Sequence, residues 1–220
     1  YIYTYVPAAS NRFLVLSVDS SETSENRLVD LNGKSSDPMH YKRDMVLVSP
    51  REFGVRYETE HHDDKLIFVT NKDYALNNKL CSVTIGDNLP VMEQAIQRRH
   101  WKDVNLYNPA IQIDRVRPFK HFLAIFGRQD GLEQVWIADV TKSKDLTFWL
   151  RIEFEESAYS VWSENNFEYE TSKVRLVHSS LISPKRVFDY DFRNGSVDVL
   201  KQQEVPHYDA TQYVPSYHNI

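Results

Sequence analysis

Several things are scarce in this sequence, and each scarcity excludes something. There is one cysteine, Cys81, in 220 residues. No intrachain disulfide can form, which favours a reducing, cytoplasmic setting. Glycine occurs only six times, and none of the six stands in a Gly-x-Ser-x-Gly elbow, a Walker loop or a Gly-x-Gly-x-x-Gly turn. No stretch approaches the roughly 20 apolar residues that cross a bilayer as a helix, so no membrane partner is expected. Basic residues do not dominate: 26 Lys+Arg stand against 31 Asp+Glu, a formal charge of −5. That balance argues against a nucleic-acid partner, which would call for a basic face. A starting methionine and a leader are also lacking, since the first residue is Tyr1. The expectation is a segment cut from a longer protein, inside a structural unit.

What is present is aromatic and strand-forming. The chain holds 13 Tyr, 11 Phe and 4 Trp, residue types that fit a pleated, half-buried surface. Period-two or short apolar runs predict strands over 12–18, 27–31, 45–48, 55–60, 65–70, 79–85, 111–116, 121–126, 132–140, 159–162, 173–178, 186–191 and 197–201. Turn signals separate them: Asn32-Gly33, His62-Asp63-Asp64, Gln129-Asp130-Gly131 and Asn194-Gly195. The one helix expected lies within 89–101, with Pro90 in its first turn.

The strands repeat. Four similar hairpins end at residues 31, 85, 140 and 192, a spacing of 54, 55 and 52. A period near 50 built from about four short strands is the mark of a β-propeller blade. The expected fold is all-β: a partial β-propeller of about three full blades plus a leading partial one. A β-sandwich with irregular spacing is the competing architecture. An open arc of blades leaves apolar faces uncovered, so poor solubility is expected of the segment alone.

Chemistry is hard to find. Cys81 lies on a strand without a basic partner in the sequence and reads as a small core residue. His61 and His62 read as part of a solvated turn with Asp63 and Asp64. Adjacent strand residues point to opposite faces, so they do not converge on a metal. No metal or cofactor is expected. Glu153, Glu155, Glu156 and Glu164 form an acidic loop, and Arg98-Arg99-His100-Trp101 a short basic run. Asn194-Gly-Ser196 matches a glycosylation sequon and equally makes a hairpin turn.

Longer runs carry a resemblance. Tyr57-Glu-Thr-Glu-His-His-Asp-Asp-Lys-Leu-Ile-Phe-Val-Thr-Asn-Lys-Asp73 resembles an oligopeptidase B blade reading Tyr-x-x-x-His-x-x-x-x-Phe-x-x-x-Thr-Asn. Ser157-Ala-Tyr-Ser-Val-Trp162 is similar to that family's Pro-Ala-Tyr-x-x-Trp strand, with Ser157 in place of proline. Arg175-Leu-Val-His-Ser-Ser-Leu-Ile-Ser-Pro184 resembles its Arg-Tyr-x-Tyr-Ser-Ser-Leu-Thr-Thr-Pro hairpin. Lys201-Gln-Gln-Glu-Val-Pro206 with Tyr213 is similar to the segment that closes the propeller. The resemblance, to oligopeptidase B-like members of the prolyl oligopeptidase group, runs over essentially the whole chain.

It implies a serine endopeptidase in which a seven-bladed propeller caps an α/β-hydrolase domain holding a Ser-Asp-His triad. The partners implied are that hydrolase domain and small peptide substrates, cleaved after basic residues. Residues 1–202 would be propeller and 203–220 the connection toward the hydrolase domain. No catalytic residue carries over, and the segment alone is expected to be inactive. The residues implied at the inter-domain face or hinge are Arg128, Ser179, Ser180, Pro184, Glu204 and Pro206. The alternative is a non-catalytic propeller scaffold, from a truncated or inactive relative.

Overall fold

The computed structural model describes residues 1–32, 45–86, 89–142 and 146–213. Among the described residues, sixteen strands form four antiparallel sheets of four, each in sequence order. The first holds β1 (Ile2–Pro7), β2 (Phe13–Asp19), β3 (Ser24–Asp30) and β4 (Val46–Leu47). The second holds β5 (Tyr57–His62), β6 (Lys65–Thr70), β7 (Lys79–Thr84) and β8 (Lys102–Asp103). The third holds β9 (Ile111–Phe119), β10 (Phe122–Gln129), β11 (Leu132–Asp139) and β12 (Leu150–Arg151). The fourth holds β13 (Tyr159–Ser163), β14 (Lys173–Ser180), β15 (Arg186–Asp191) and β16 (Val197–Gln202).

The repeat is that of a propeller, with its phase moved. Positions 31, 85, 140 and 192 mark the end of the third strand in each sheet, not the end of the sheet. The fourth strands follow, and three of them are only two residues long, too short to show a period. The leading unit, expected as part of a blade, carries all four strands, because Ile2–Pro7 pairs along its length with β2.

Period-two alternation explains why the sheets stack. On β6, Leu66 and Phe68 enter the core shared with the first sheet, while Ile67 and Val69 enter the core shared with the third. On β10, Leu123 and Ile125 face back to the second sheet, whereas Phe122, Ala124 and Phe126 face the fourth. Each central strand is therefore apolar on both faces, and three cores hold four sheets together.

The expected helix over 89–101 is shorter. α1 spans Leu89–Ala95, and a 3-10 turn follows at Arg98–His100. Trp101 then runs extended and buries its ring against Phe68, stacked at 3.7 Å between centroids. Its indole N–H donates to the Ile96 carbonyl at 2.7 Å. This packing, together with Ile96 and Met92 in the first core, ends the helix early.

His61 and His62 are corrected. They are the last two residues of β5, and both are buried. The turn is confined to Asp63 and Asp64, with Asp63 at a φ of 54°. The two imidazoles do point apart: Nδ1 of His61 meets the Ser10 hydroxyl at 2.6 Å, and Nε2 of His62 lies 3.2 Å from the Lys120 carbonyl.

Candidate functional site: the hairpin-tip rim

In a four-stranded antiparallel sheet, the hairpin between strands two and three and the exit from strand four fall at one end. Stacked sheets therefore place eight segments along a common rim. Here these are residues 20–23, 71–78, 130–131 and 181–185 from the hairpins. Residues 48–56, 104–110, 152–158 and the start of 203–213 come from the exits. Cross-links between sheets confirm the alignment. The Glu133 carboxylate accepts the Val161 N–H at 2.9 Å, and the Tyr159 hydroxyl meets Gln134 Oε1 at 3.1 Å.

All six residues singled out by resemblance lie on this rim, on the third and fourth sheets. Arg128 is the next-to-last residue of β10, exposed, with its Nε 3.9 Å from Asp114. Asp114 is aimed there by a bulge in β9 opposite Phe126 and Gly127. Ser179 and Ser180 end β14. The Ser180 hydroxyl accepts the N–H groups of Ile182 (3.2 Å) and Ser183 (2.8 Å), shaping the tip before Pro184. Glu204 and Pro206 are exposed, between two points where the chain folds back on that tip. The Gln203 N–H donates to the Lys185 carbonyl at 2.8 Å, and the Tyr208 hydroxyl to the Ile182 carbonyl at 2.6 Å.

Sequence reasoning missed the rim's composition. Tyr74 is 94% exposed, Leu106 91%, Phe53 84%, Leu76 83% and Leu181 82%, and all five stand on it. Phe53, Tyr74 and Leu76 border a groove of about 1030 Å³ whose floor includes Arg98. Arg98 is ion-paired with Glu52 and donates to the Pro50 carbonyl at 2.8 Å. Asp73 and Tyr74 both have positive φ, 57° and 62°, a strained pair. Lys72 and Lys79 brace Asp73 at 2.6 and 3.0 Å, and Lys79 also reaches Asp103 at 2.8 Å.

Two Ser/His arrangements lack the chemistry of a catalytic centre. Ser10 and His61 share their hydrogen bond on the opposite rim, but burial, aided by the Arg12 charge, pulls the imidazole down to about 4. That is a poor base at neutral pH, and Nε2 has no hydrogen-bond partner to orient it. On the hairpin-tip rim, the Ser183 hydroxyl binds the Glu156 carboxylate rather than His178. A triad needs the imidazole between serine and acid. Cys81 is no nucleophile either: burial and the Asp103 carboxylate push its thiol up to about 12.

Next to His61, burial raises Glu60 to about 7. Its ordinary value is 4.5, so its contribution to stability is fully present below that and is lost as pH rises through about 7. His61 acts oppositely: its contribution is present above its ordinary 6.5 and lost as pH falls toward about 4. Glu60→Gln keeps an acceptor for the Ala9 N–H. It is expected to stabilise the protein by about 2–3 kcal/mol at pH 8 and to change little at pH 4.5. Urea midpoints at the two pH values measure this, and equal midpoints at pH 8 would refute it.

Four antiparallel sheets packed through shared cores, with exposed apolar side chains on the hairpin-tip rim, define a β-propeller segment. Residues 3–203 match the family described as "Prolyl oligopeptidase, N-terminal beta-propeller domain". The chain belongs to that family. It is 27% identical over 204 residues to dipeptidyl aminopeptidase BI of Pseudoxanthomonas mexicana, covering 93% of this chain and 25% of the relative. Protease 2 of Moraxella lacunata is 27% identical over 205 residues, covering 93% and 26%. Among solved structures, oligopeptidase B from Trypanosoma brucei superposes with a TM-score of 0.81 at 27% identity, covering 96% of this chain and 29% of that one. The Leishmania major enzyme gives 0.79 at 26% identity, covering 95% and 28%. The chain thus spans about a quarter of the length of the curated relatives it matches.

Proposed function

We propose that this chain is the substrate-gating part of a cytoplasmic serine endopeptidase that cleaves short peptides after basic residues. In this reading residues 1–202 are propeller and 203–220 lead toward an α/β-hydrolase domain, which carries the nucleophile. The hairpin-tip rim is the face that meets that domain. Exposed Tyr74, Leu106, Phe53, Leu76 and Leu181 on one rim are the observation that carries the proposal, because a docking surface concentrates apolar side chains that a solvated rim would not keep. Arg128 supplies a charged contact at its border. Ser179, Ser180 and Pro184 hold the adjoining tip in shape. Glu204 and Pro206 form the hinge, exposed and unpacked between the anchors at Gln203 and Tyr208. Closure on this rim excludes water from the reacting centre, which strengthens preorganised electrostatic stabilisation there.

The test is hydrolysis of a short arginine-containing fluorogenic peptide by the intact protein. Tyr74→Asp and Leu181→Asp each place a charge on the rim and are expected to lower kcat/KM by about ten-fold or more, with Tm unchanged. Phe167→Asp, an equally exposed residue (82%) on the opposite rim, is expected to have no effect. Absence of hydrolysis by the intact protein, or equal behaviour of the three variants, would sink the reading.

A further inference from the structure

The basic run Arg98-Arg99-His100 does not serve the gating reading as a unit. Arg98 is ion-paired with Glu52 on the rim. Arg99, His100 and Lys102 border a second groove, of about 800 Å³, along the edge of the second sheet. That groove lies toward the end of the sheet away from the hairpin tips, since Lys65 opens β6, Thr84 closes β7 and Lys102 opens β8, and all three line it.

The groove is positive on a chain whose formal charge is −5. Among the described residues its one carboxylate is Asp103, which is already held by Lys79 at 2.8 Å and accepts the Cys81 thiol at 3.3 Å. No carboxylate among the described residues pairs with Arg99 or Lys102. Arg99 Nε donates to His100 Nε2 at 3.1 Å, which orients the guanidinium and leaves its two terminal nitrogens open. A guanidinium so placed binds a carboxylate through a two-bond fork.

The same groove exposes backbone. β8 is the edge strand of its sheet and pairs with Cys81 and Ser82 of β7 only. The Val104 N–H bonds to the Leu80 carbonyl on the β8 side of β7, and the Ile85 N–H bonds to the Asp64 carbonyl on the β6 side. Backbone groups alternate along a strand, so the N–H and C=O of Thr84 point to the β8 side. No described residue pairs with them there.

Unneutralised positive charge and an open strand edge thus occupy one groove. A free phosphate or carboxylate answers only the charge, and a nucleic acid has no peptide backbone to add to a sheet. An extended polypeptide with acidic side chains answers both. We propose that this groove docks an acidic, extended segment of a partner protein, which pairs with the open edge at Thr84 and sets carboxylates on Arg99 and Lys102. The site stands apart from the hairpin-tip rim and does not depend on the gating reading.

The test is fluorescence anisotropy of the intact protein with the labelled peptide acetyl-Glu-Val-Glu-Val-Glu-Val-amide, which has no basic residue for the proposed peptidase to cut after. Saturable binding is expected. It is expected to weaken about ten-fold or more when Gln replaces Glu in the peptide, and by a similar factor in Arg99→Glu and Lys102→Glu. A peptide with methylated backbone nitrogens is also expected to bind about ten-fold more weakly, because it cannot join the edge. Lys201→Glu reverses an exposed charge on β16 of the fourth sheet and is expected to change nothing. Absence of saturable binding, equal binding of the Gln or the methylated peptide, or an equal loss in Lys201→Glu would overturn the proposal. Tighter binding of a single-stranded oligonucleotide than of the acidic peptide would overturn it as well.

Discussion

Gly127→Ala is expected to cost about 3 kcal/mol or more, a large share of the 5–15 kcal/mol that holds a domain together. Gly127 lies in β10 opposite Ile113, where the register shifts and Asp114 becomes the extra residue of β9. A Cβ there would sit 2.0 Å from the Gln112 carbonyl oxygen, 3.1 Å from its carbon and 3.2 Å from the Ile113 Cα. All three are backbone atoms, so no side-chain rotation relieves the overlap, and the bulge itself must move. The bulge aims Asp114, which accepts a hydrogen bond from Gln112 at 2.7 Å and lies near Arg128. The variant therefore also displaces the charged end of the rim. Gly54→Ala is the contrast. Its φ is 78°, but nothing stands within 4 Å of a Cβ there, so only backbone strain of about 1 kcal/mol is expected. Urea unfolding of both variants checks the ranking. Equal losses would mean that close approach of β9 does not dictate glycine at 127.

Phe122→Ala is expected to cost about 3–5 kcal/mol. The ring is fully buried between the third and fourth sheets. It stacks on Phe119 at 4.4 Å with planes 7° apart, and on Phe192 at 4.6 Å. Phe119 and Phe122 belong to the third sheet, while Phe192 follows β15 of the fourth. The stack thus joins two blades, and truncation opens a cavity at their junction. Phe122→Leu conserves much of the volume and is expected to cost under about 1.5 kcal/mol. A Phe122→Ala loss no larger than the Leu loss, measured by the same urea unfolding, would show that the inter-blade stack contributes little beyond burial.

These expectations rest on features that differ in how far the sequence exposes them. The central strands were legible, because Leu66-Ile-Phe-Val and Phe122-Leu-Ala-Ile are apolar at every position, as a strand with cores on both faces must be. The turn at Asp130-Gly131 was legible, because both residues take positive φ, 53° and 76°. The two-residue strands β8 and β12 were not legible, since two residues carry no period. The burial of His61 and His62 was missed for a related reason: a polar pair before Asp-Asp looks solvated until the neighbouring sheets close over it.

The site divided in the same way. Sequence resemblance pointed to the tip around Ser179–Ser180 and Pro184 and to Glu204 and Pro206, and topology put them on one rim. It did not find the exposed set of Phe53, Tyr74, Leu76, Leu106 and Leu181. Apolar residues in a sequence are read as core, and only packing decides which ones are left outside.

By itself, then, the sequence determined the strand-rich composition, the repeat near 50 residues and the two-faced central strands, because these follow from side-chain chemistry at neighbouring positions. The tertiary structure decided the phase of the blades, the glycine at the bulge and the apolar rim. Each of those depends on which distant segment arrives beside a residue and removes its water, and that is a property of the packed sheets rather than of any one stretch of chain.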